Sequence, residues 1–325
     1  MRKFSYITFI ILIALLRFIT LQGQQMPLYS DYIMNGFVIN PAVAGSDGFT
    51  TIGLSVRDHM LGFDNSPKTN VISFQGRLLR RNYQIRNKSL FNKTVSKRTG
   101  KVGIGAQIFT DKNGFMERTG GQVSYAYHMN MGNNQLSFGL AVSTFQFHIA
   151  LDKLKFRDSE TITDQGFANQ VLVPDVSTGA YFLSANSFLG FSIANLFQSR
   201  IRIGSETYDY RLYRTYYLMG GKRFNAESEF AFEPSFLIKG TEKGIFQADM
   251  QIREYYQQDY YLGVLYRTGS AVGVILGAKW NRIHFCYAFD YSLNSIRRYS
   301  YGAHELNITI KLGDNARRYK WLIRY

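Results

Sequence analysis

IHFCYAFDYSL, residues 283–293, alternates without a slip. Ile283, Phe285, Tyr287, Phe289, Tyr291 and Leu293 share one face of an extended chain, and His284, Cys286, Ala288, Asp290 and Ser292 share the other. Successive strand side chains point to opposite faces, so this period of two marks a strand and not a helix. Two environments demand such a strand. In a soluble sheet the large apolar face meets a core; in a membrane barrel it meets lipid, and the small polar face lines the lumen.

The pattern recurs along the chain. Leu306, Ile308, Ile310 and Leu312 alternate with Glu305, Asn307, Thr309 and Lys311, and Phe246, Ala248, Met250 and Ile252 with Gln247, Asp249, Gln251 and Arg253. Leu136, Phe138, Leu140 and Val142 continue the series until the phase changes at Thr144 towards Phe145 and Phe147, which reads as a β-bulge. Fourteen runs emerge: 50–58, 70–78, 101–110, 120–131, 134–149, 175–184, 187–198, 212–225, 228–240, 244–256, 259–268, 272–280, 283–293 and 303–312. The number is even, and the lengths suit the roughly 9–11 residues a tilted strand needs to cross a bilayer. The expected fold is therefore all-β, a transmembrane antiparallel barrel of about fourteen strands. Closure matters because an open sheet edge does not survive in hydrocarbon. The competing reading is a secreted β-sandwich, whose strands would break more often, at the 8–12-residue spacing of soluble sheets.

Compartment follows from the first residues. Arg2 and Lys3 precede an apolar run from Phe4 to Leu16, and Leu21-Gln22-Gly23 offers a cleavage point, so 1–23 reads as a secretory signal peptide. Residues 24–49 form an N-terminal segment, 50–312 the barrel and 313–325 a basic tail. No continuous apolar run is long enough for a transmembrane helix. Cys286, the single cysteine, has no partner for an intramolecular disulfide. Aromatic residues at 16%, 29 glycines and only 5 prolines suit many strands and tight turns.

Link lengths orient the barrel. With the first strand running outward, the links at Met131–Asn133, Ala185–Asn186, Ala226–Glu227, Gln257–Gln258 and Asn281–Arg282 are tight and periplasmic. Those at 59–69, 111–119, 150–174, 199–211 and 294–302 are longer and external. Both termini then face the periplasm. Residues 79–100 are the exception, a long link on the short-turn side.

QQMPLYSDYIMNGFVINPAVAGSDG, residues 24–48, resembles the opening of the PorP/SprF family, outer-membrane proteins of the type IX secretion system of Bacteroidetes. GFDNSPKT (62–69), TDKNG (110–114), YAYHM (125–129), PDVSTGAYF (174–182) and FLGFSIANLF (188–197) follow in family order. Gly36 departs from the family, which tends to carry Pro in that segment. The resemblance implies a barrel acting in protein secretion or gliding motility. Its implied partners are a secreted adhesin-like protein with a type IX C-terminal signal and the periplasmic parts of the machine.

Candidate sites are sparse. The five histidines are scattered, with no HExxH motif and no Cys-His pairing. GFSIA at 190–194 lacks the second Gly of a nucleophile elbow. No enzyme activity, metal or cofactor is expected, and nucleic acid is an implausible partner for an exported barrel. Glu229, Glu233 and Asp249 are read as lumen acids paired with an arginine such as Arg253. Net charge is +15, and residues 79–100 contribute Arg80, Arg81, Arg86, Lys88, Lys93, Lys97 and Arg98 without one acid. This basic patch reads either as a solvated loop or as a docking site for anionic periplasmic partners or phosphorylated lipid.

Tyr29, Tyr32, Phe37, Asn40 and Pro41 belong to a segment too apolar to stay free, so 24–49 is expected to thread into the lumen as a plug; a partner-bound arm is the alternative. Gly62, Phe63, Asp64, Pro67, Lys68 and Thr69 form either a plain external turn or a constriction or partner-binding loop. Two functions are thus in play. One is a secretion component that binds, anchors or assists export of a surface protein; the other is an outer-membrane channel for hydrophobic small molecules.

Overall fold

A computed structural model describes residues 29–62, 66–78, 101–114, 116–149, 170–203, 208–294, 298 and 300–313. The expected signal peptide, Phe63, Asp64, the basic patch from Arg80 to Arg98, most of the 150–174 loop and the tail beyond Gly313 lie outside the described residues.

Strands β1 (Thr50–Asp58), β2 (Lys68–Leu78), β3 (Val102–Asn113), β4 (Met116–Met131), β5 (Asn134–Ile149), β6 (Gln170–Leu183) and β7 (Ser187–Ala194) form the first half of the wall. A hairpin, β8 (Arg200–Ile203) with β9 (Tyr208–Arg211), stands apart in its own two-stranded sheet. The second half comprises β10 (Thr215–Lys222), β11 (Phe230–Thr241), β12 (Phe246–Tyr256), β13 (Tyr260–Arg267), β14 (Ala271–Trp280), β15 (Ile283–Ser292) and β16 (Ala303–Leu312). Each of the fourteen wall strands pairs antiparallel with its neighbours, and β1 closes on β16 from Thr50↔Leu312 to Asp58↔His304. The expected barrel is the barrel found.

The opening stretch shows why. On β15, Phe285, Tyr287 and Tyr291 are exposed on the outside, whereas Cys286, Ala288 and Asp290 are each 2% exposed or less. The same inversion of a soluble protein holds around the wall, with Ile72, Val123, Leu140, Leu262 and Leu276 outside and Ser55, Gln135, Gln251 and Asn307 inside. Water would not tolerate so large an apolar exterior, and lipid requires it.

Three expectations are corrected. Thr144 is no bulge: β5 pairs one-to-one with both β4 and β6 through Thr144 and Phe145. The phase change instead marks where the apolar residues cross to the lumen, since Phe145 and Phe147 pack inside with Val173 and Leu212. The expected loop at 111–119 is a tight turn, because the β3–β4 ladder continues to Asn113↔Met116 and Gly114 supplies a φ of +61°. Finally, β7 stops at Ala194, not 198: Asn195 and Gln198 adopt φ of +59° and +52° and turn the chain into the β8–β9 hairpin.

Candidate functional site: the filled lumen

The N-terminal segment lacks alternation because it is no strand. The Asp31 carboxylate accepts from the Met34 amide at 3.0 Å, bending the chain before a four-residue helical turn, α1 (Gly36–Ile39). Asn40 ends that turn, and its Oδ1 accepts from the Ala42 amide at 2.9 Å to start a 3-10 turn at Pro41–Val43. The Asn40 amide also donates outward to the carbonyls of Ala180 and Phe191 on β6 and β7, at 3.0 and 3.3 Å.

Similar bonds reach the wall all round. Ser192 on β7 donates to the Ile39 carbonyl at 2.9 Å, and His128 on β4 bonds the Ala44 carbonyl at 3.0 Å. Arg77 on β2 donates to the carbonyls of Gly45 and Ser46 at 2.9 and 3.2 Å. Tyr32 meets Ser235 on β11 at 2.9 Å, and the Ser30 amide donates to Glu305 on β16 at 2.6 Å. Glycines make the fit possible. A Cβ on Gly103 of β3 would collide with the Ala44 carbonyl, and one on Gly139 of β5 with Pro41 and Ala42. The backbone of the segment lies directly against a wall stripped of side chains.

Opposite these glycines stands a dense ionic cluster. Arg57 on β1 pairs with Asp290 at 2.8 Å and with Glu305 at 2.7 Å, and Arg267 on β13 pairs with Asp290 and Asp249, each at 3.0 Å. Arg253 on β12 pairs with Asp31 of the segment, and Asn35 donates to Glu305 and Asn307 at 3.3 and 3.1 Å. These charged side chains are 3% exposed or less. Burial disfavours the charged form of Asp31, but the Arg253 guanidinium and a hydrogen bond from Met34 outweigh it and hold the carboxyl below its usual range.

The segment separates two small cavities. One, about 130 Å³, is lined by its Tyr29, Ile39 and Pro41 together with Phe145, Arg118 and Lys239 of the loop-bearing half. The other, about 120 Å³, is lined by its Ile33, Phe37 and Asp47 together with Arg223, Lys279 and Lys311 near the short turns. Among the described residues no group of acids, histidines or Cys286 is placed to hold a metal ion.

Of the residues singled out from sequence, Tyr29, Tyr32, Phe37, Asn40 and Pro41 come together here, all buried. The 62–69 stretch divides. Gly62 is exposed with φ +103°, and the Pro67 carbonyl accepts from the His59 amide at 2.8 Å. Lys68 pairs with Asp58 on the rim at 3.1 Å, and Thr69 turns into the lumen to bond His59 and Asp111 at 3.0 and 2.9 Å. Arg253 does pair with an acid, but with Asp31, while Glu233 takes Arg223 and Asp249 takes Arg267. Arg57, Arg267, Asp290 and Glu305 were missed. Each sits at an inward position of an alternating strand, and that shared parity was the available signal.

Comparison with known proteins places the molecule. Residues 21–310 match the family described as type IX secretion system membrane protein PorP/SprF. The chain belongs to this family. As a PorP/SprF barrel it is an outer-membrane component of the type IX system, surrounded by lipid. Among curated proteins, none matches it in sequence. Solved structures that resemble PorP/SprF here include the toluene transporter TbuX of Ralstonia pickettii, 10% identical over 85% of this chain and 92% of that one, with a TM-score of 0.46. The CymD monoaromatic hydrocarbon channel gives 10%, 86%, 93% and 0.46, and a Pseudomonas aeruginosa FadL homologue 10%, 84%, 93% and 0.42. At such identity the likeness concerns the barrel fold and carries nothing about what PorP/SprF handles.

Proposed function

We propose that this PorP/SprF barrel is a closed platform and not a conduit. At its loop end it binds a secreted, adhesin-like surface protein bearing a type IX C-terminal signal, and anchors it or assists its export. At its turn end, with both termini periplasmic, it meets the periplasmic secretion machinery, and the basic residues from Arg80 to Arg98 supply a docking site for anionic partners there. The platform performs no catalysis and uses no cofactor.

One observation carries this reading. The N-terminal segment is bonded to β2, β4, β6, β7, β11, β12 and β16 at once, so the lumen is filled and the work falls to the two rims. A channel for hydrophobic small molecules asks for an apolar path and a lateral opening. Buried ion pairs on the lumen side of the wall and an unbroken β1–β16 ladder argue against both.

Affinity capture of the tagged full chain from outer membranes of its own cells tests the proposal. The expected catch is a secreted protein with the type IX signal, together with a periplasmic ring component; recovery of neither overturns it. In planar bilayers the full chain should be electrically silent, and a steady open conductance would count for the channel.

A further inference from the structure

Glu254 points the wrong way for a charge. It lies on β12 at an outward position between exposed Ile252 and Tyr256, and its cross-strand neighbours are Phe232 and Leu262. Of the outward residues on β11 to β16 it is the only carboxylate. No side chain among the described residues pairs with it. A carboxylate on the lipid face carries a cost unless something in the membrane answers it.

The same spot opens into a groove of about 540 Å³ on the outer wall, lined by Glu254, Tyr256, Tyr260, Leu276, Ala278 and Phe285 among others. Register gives its course. One bank follows Glu254↔Leu262↔Leu276↔Tyr287↔Leu306, and the other follows Tyr256↔Tyr260↔Ala278↔Phe285↔Ile308. Between the larger side chains, the small outward Ala278 leaves the depression. Tyr256 and Tyr260 flank the short turn at the strand ends, where aromatic residues mark the headgroup level, and exposed Trp280 extends that band. At its far end the second bank meets Leu54, in the middle of β1. Because barrel strands tilt, a row that crosses them climbs from the interface into the apolar belt.

A groove that is charged at the headgroup level and apolar as it rises has the profile of one membrane lipid. We propose that it is a specific site for a lipid with a primary-amine headgroup, such as phosphatidylethanolamine, in the leaflet at the turn end. The ammonium donates to the Glu254 carboxylate and an acyl chain lies over Leu276 and Ala278. The carboxylate selects the amine: a choline headgroup carries the same charge but has no N–H to donate.

Native mass spectrometry of the full chain, released from micelles doped with equimolar phosphatidylethanolamine and phosphatidylcholine, reads the site. The wild type should retain the ethanolamine lipid about 5-fold over choline, the scale of one exposed ion pair. Glu254→Gln, nearly isosteric, should bring the ratio to parity while heat-modifiable gel migration shows an intact barrel. Leu276→Trp, which fills the groove, should lower retention of both lipids. Equal retention by the wild type, or an unchanged preference in Glu254→Gln, would overturn the proposal. So would a photo-crosslinker at position 262 that captures a polypeptide and not lipid in native outer membranes, since the groove would then be a protein interface.

Discussion

His59 shows how a single side chain connects rim and lumen. Its Nδ1 accepts from Arg57 Nε at 3.3 Å, which leaves Nε2 to carry the proton and donate to Thr69; Thr69 in turn donates to Asp111. Protonation would turn Nδ1 into a donor facing a guanidinium. Burial, with the charges of Arg57 and Arg267, accordingly pushes His59 down to about 3. A lowered histidine contributes stability that is complete above its unfolded value near 6.5 and disappears as pH falls towards 3. Urea unfolding in micelles should show a loss of roughly 1 to 2 kcal/mol from this group between pH 7 and pH 5. His59→Gln should flatten that slope; an identical pH dependence would contradict the assignment. Asp31 makes a sharper case. Asp31→Asn leaves Arg253 buried beside a neutral amide and should cost about 3–5 kcal/mol, with much of it recovered in the double variant with Arg253→Met, where no charge remains unanswered.

At the scale of elements, the contact between the segment and the glycines of β3 and β5 makes a testable hinge of packing. Gly139→Val keeps β5 a strand, since valine favours extended backbone, but its side chain would occupy the space of Pro41 and Ala42. Overpacking of this kind costs about 1–3 kcal/mol. The barrel should therefore fold and shift normally on gels, while residues 29–48 become open to protease; a protected segment would show that the wall yields instead. The strands themselves were legible in the sequence because their signal is local. Lipid-facing and lumen-facing residues differ in kind at every second position, and β15 and β16 were read to within a residue. The crossing at Thr144 was not, because Phe145 and Phe147 face the lumen and so break the rule of greasy outside, polar inside; nor was the β8–β9 hairpin, whose four-residue strands are too short to establish a period of two. Lumen partners were hidden for another reason: Ser30 and Glu305 are 275 residues apart, and no periodicity records such a meeting.

For the whole molecule, the decisive quantity is the charge left in the lumen when the segment is withdrawn. Asp31 and Asp47 belong to the segment, and they face Arg253 and Lys311 of the wall. Arg77 likewise loses the carbonyls of Gly45 and Ser46. The wall acids Asp249, Asp290 and Glu305 stay bound to Arg57 and Arg267, which are wall residues too. Removing 24–48 thus subtracts carboxylates and carbonyls but no strand, and it exposes cations to the water that enters. Rings of Lys and Arg favour anions in a pore. The truncated chain, refolded and inserted in planar bilayers, should conduct where the full chain does not, and its reversal potential in a KCl gradient should lie on the chloride side of zero. Adding Arg253→Met and Lys311→Met to the truncation should move that potential towards zero. A silent truncated barrel would mean that the wall closes without its segment; a cation-selective one would mean that the wall acids, and not the released arginine and lysine, govern the path.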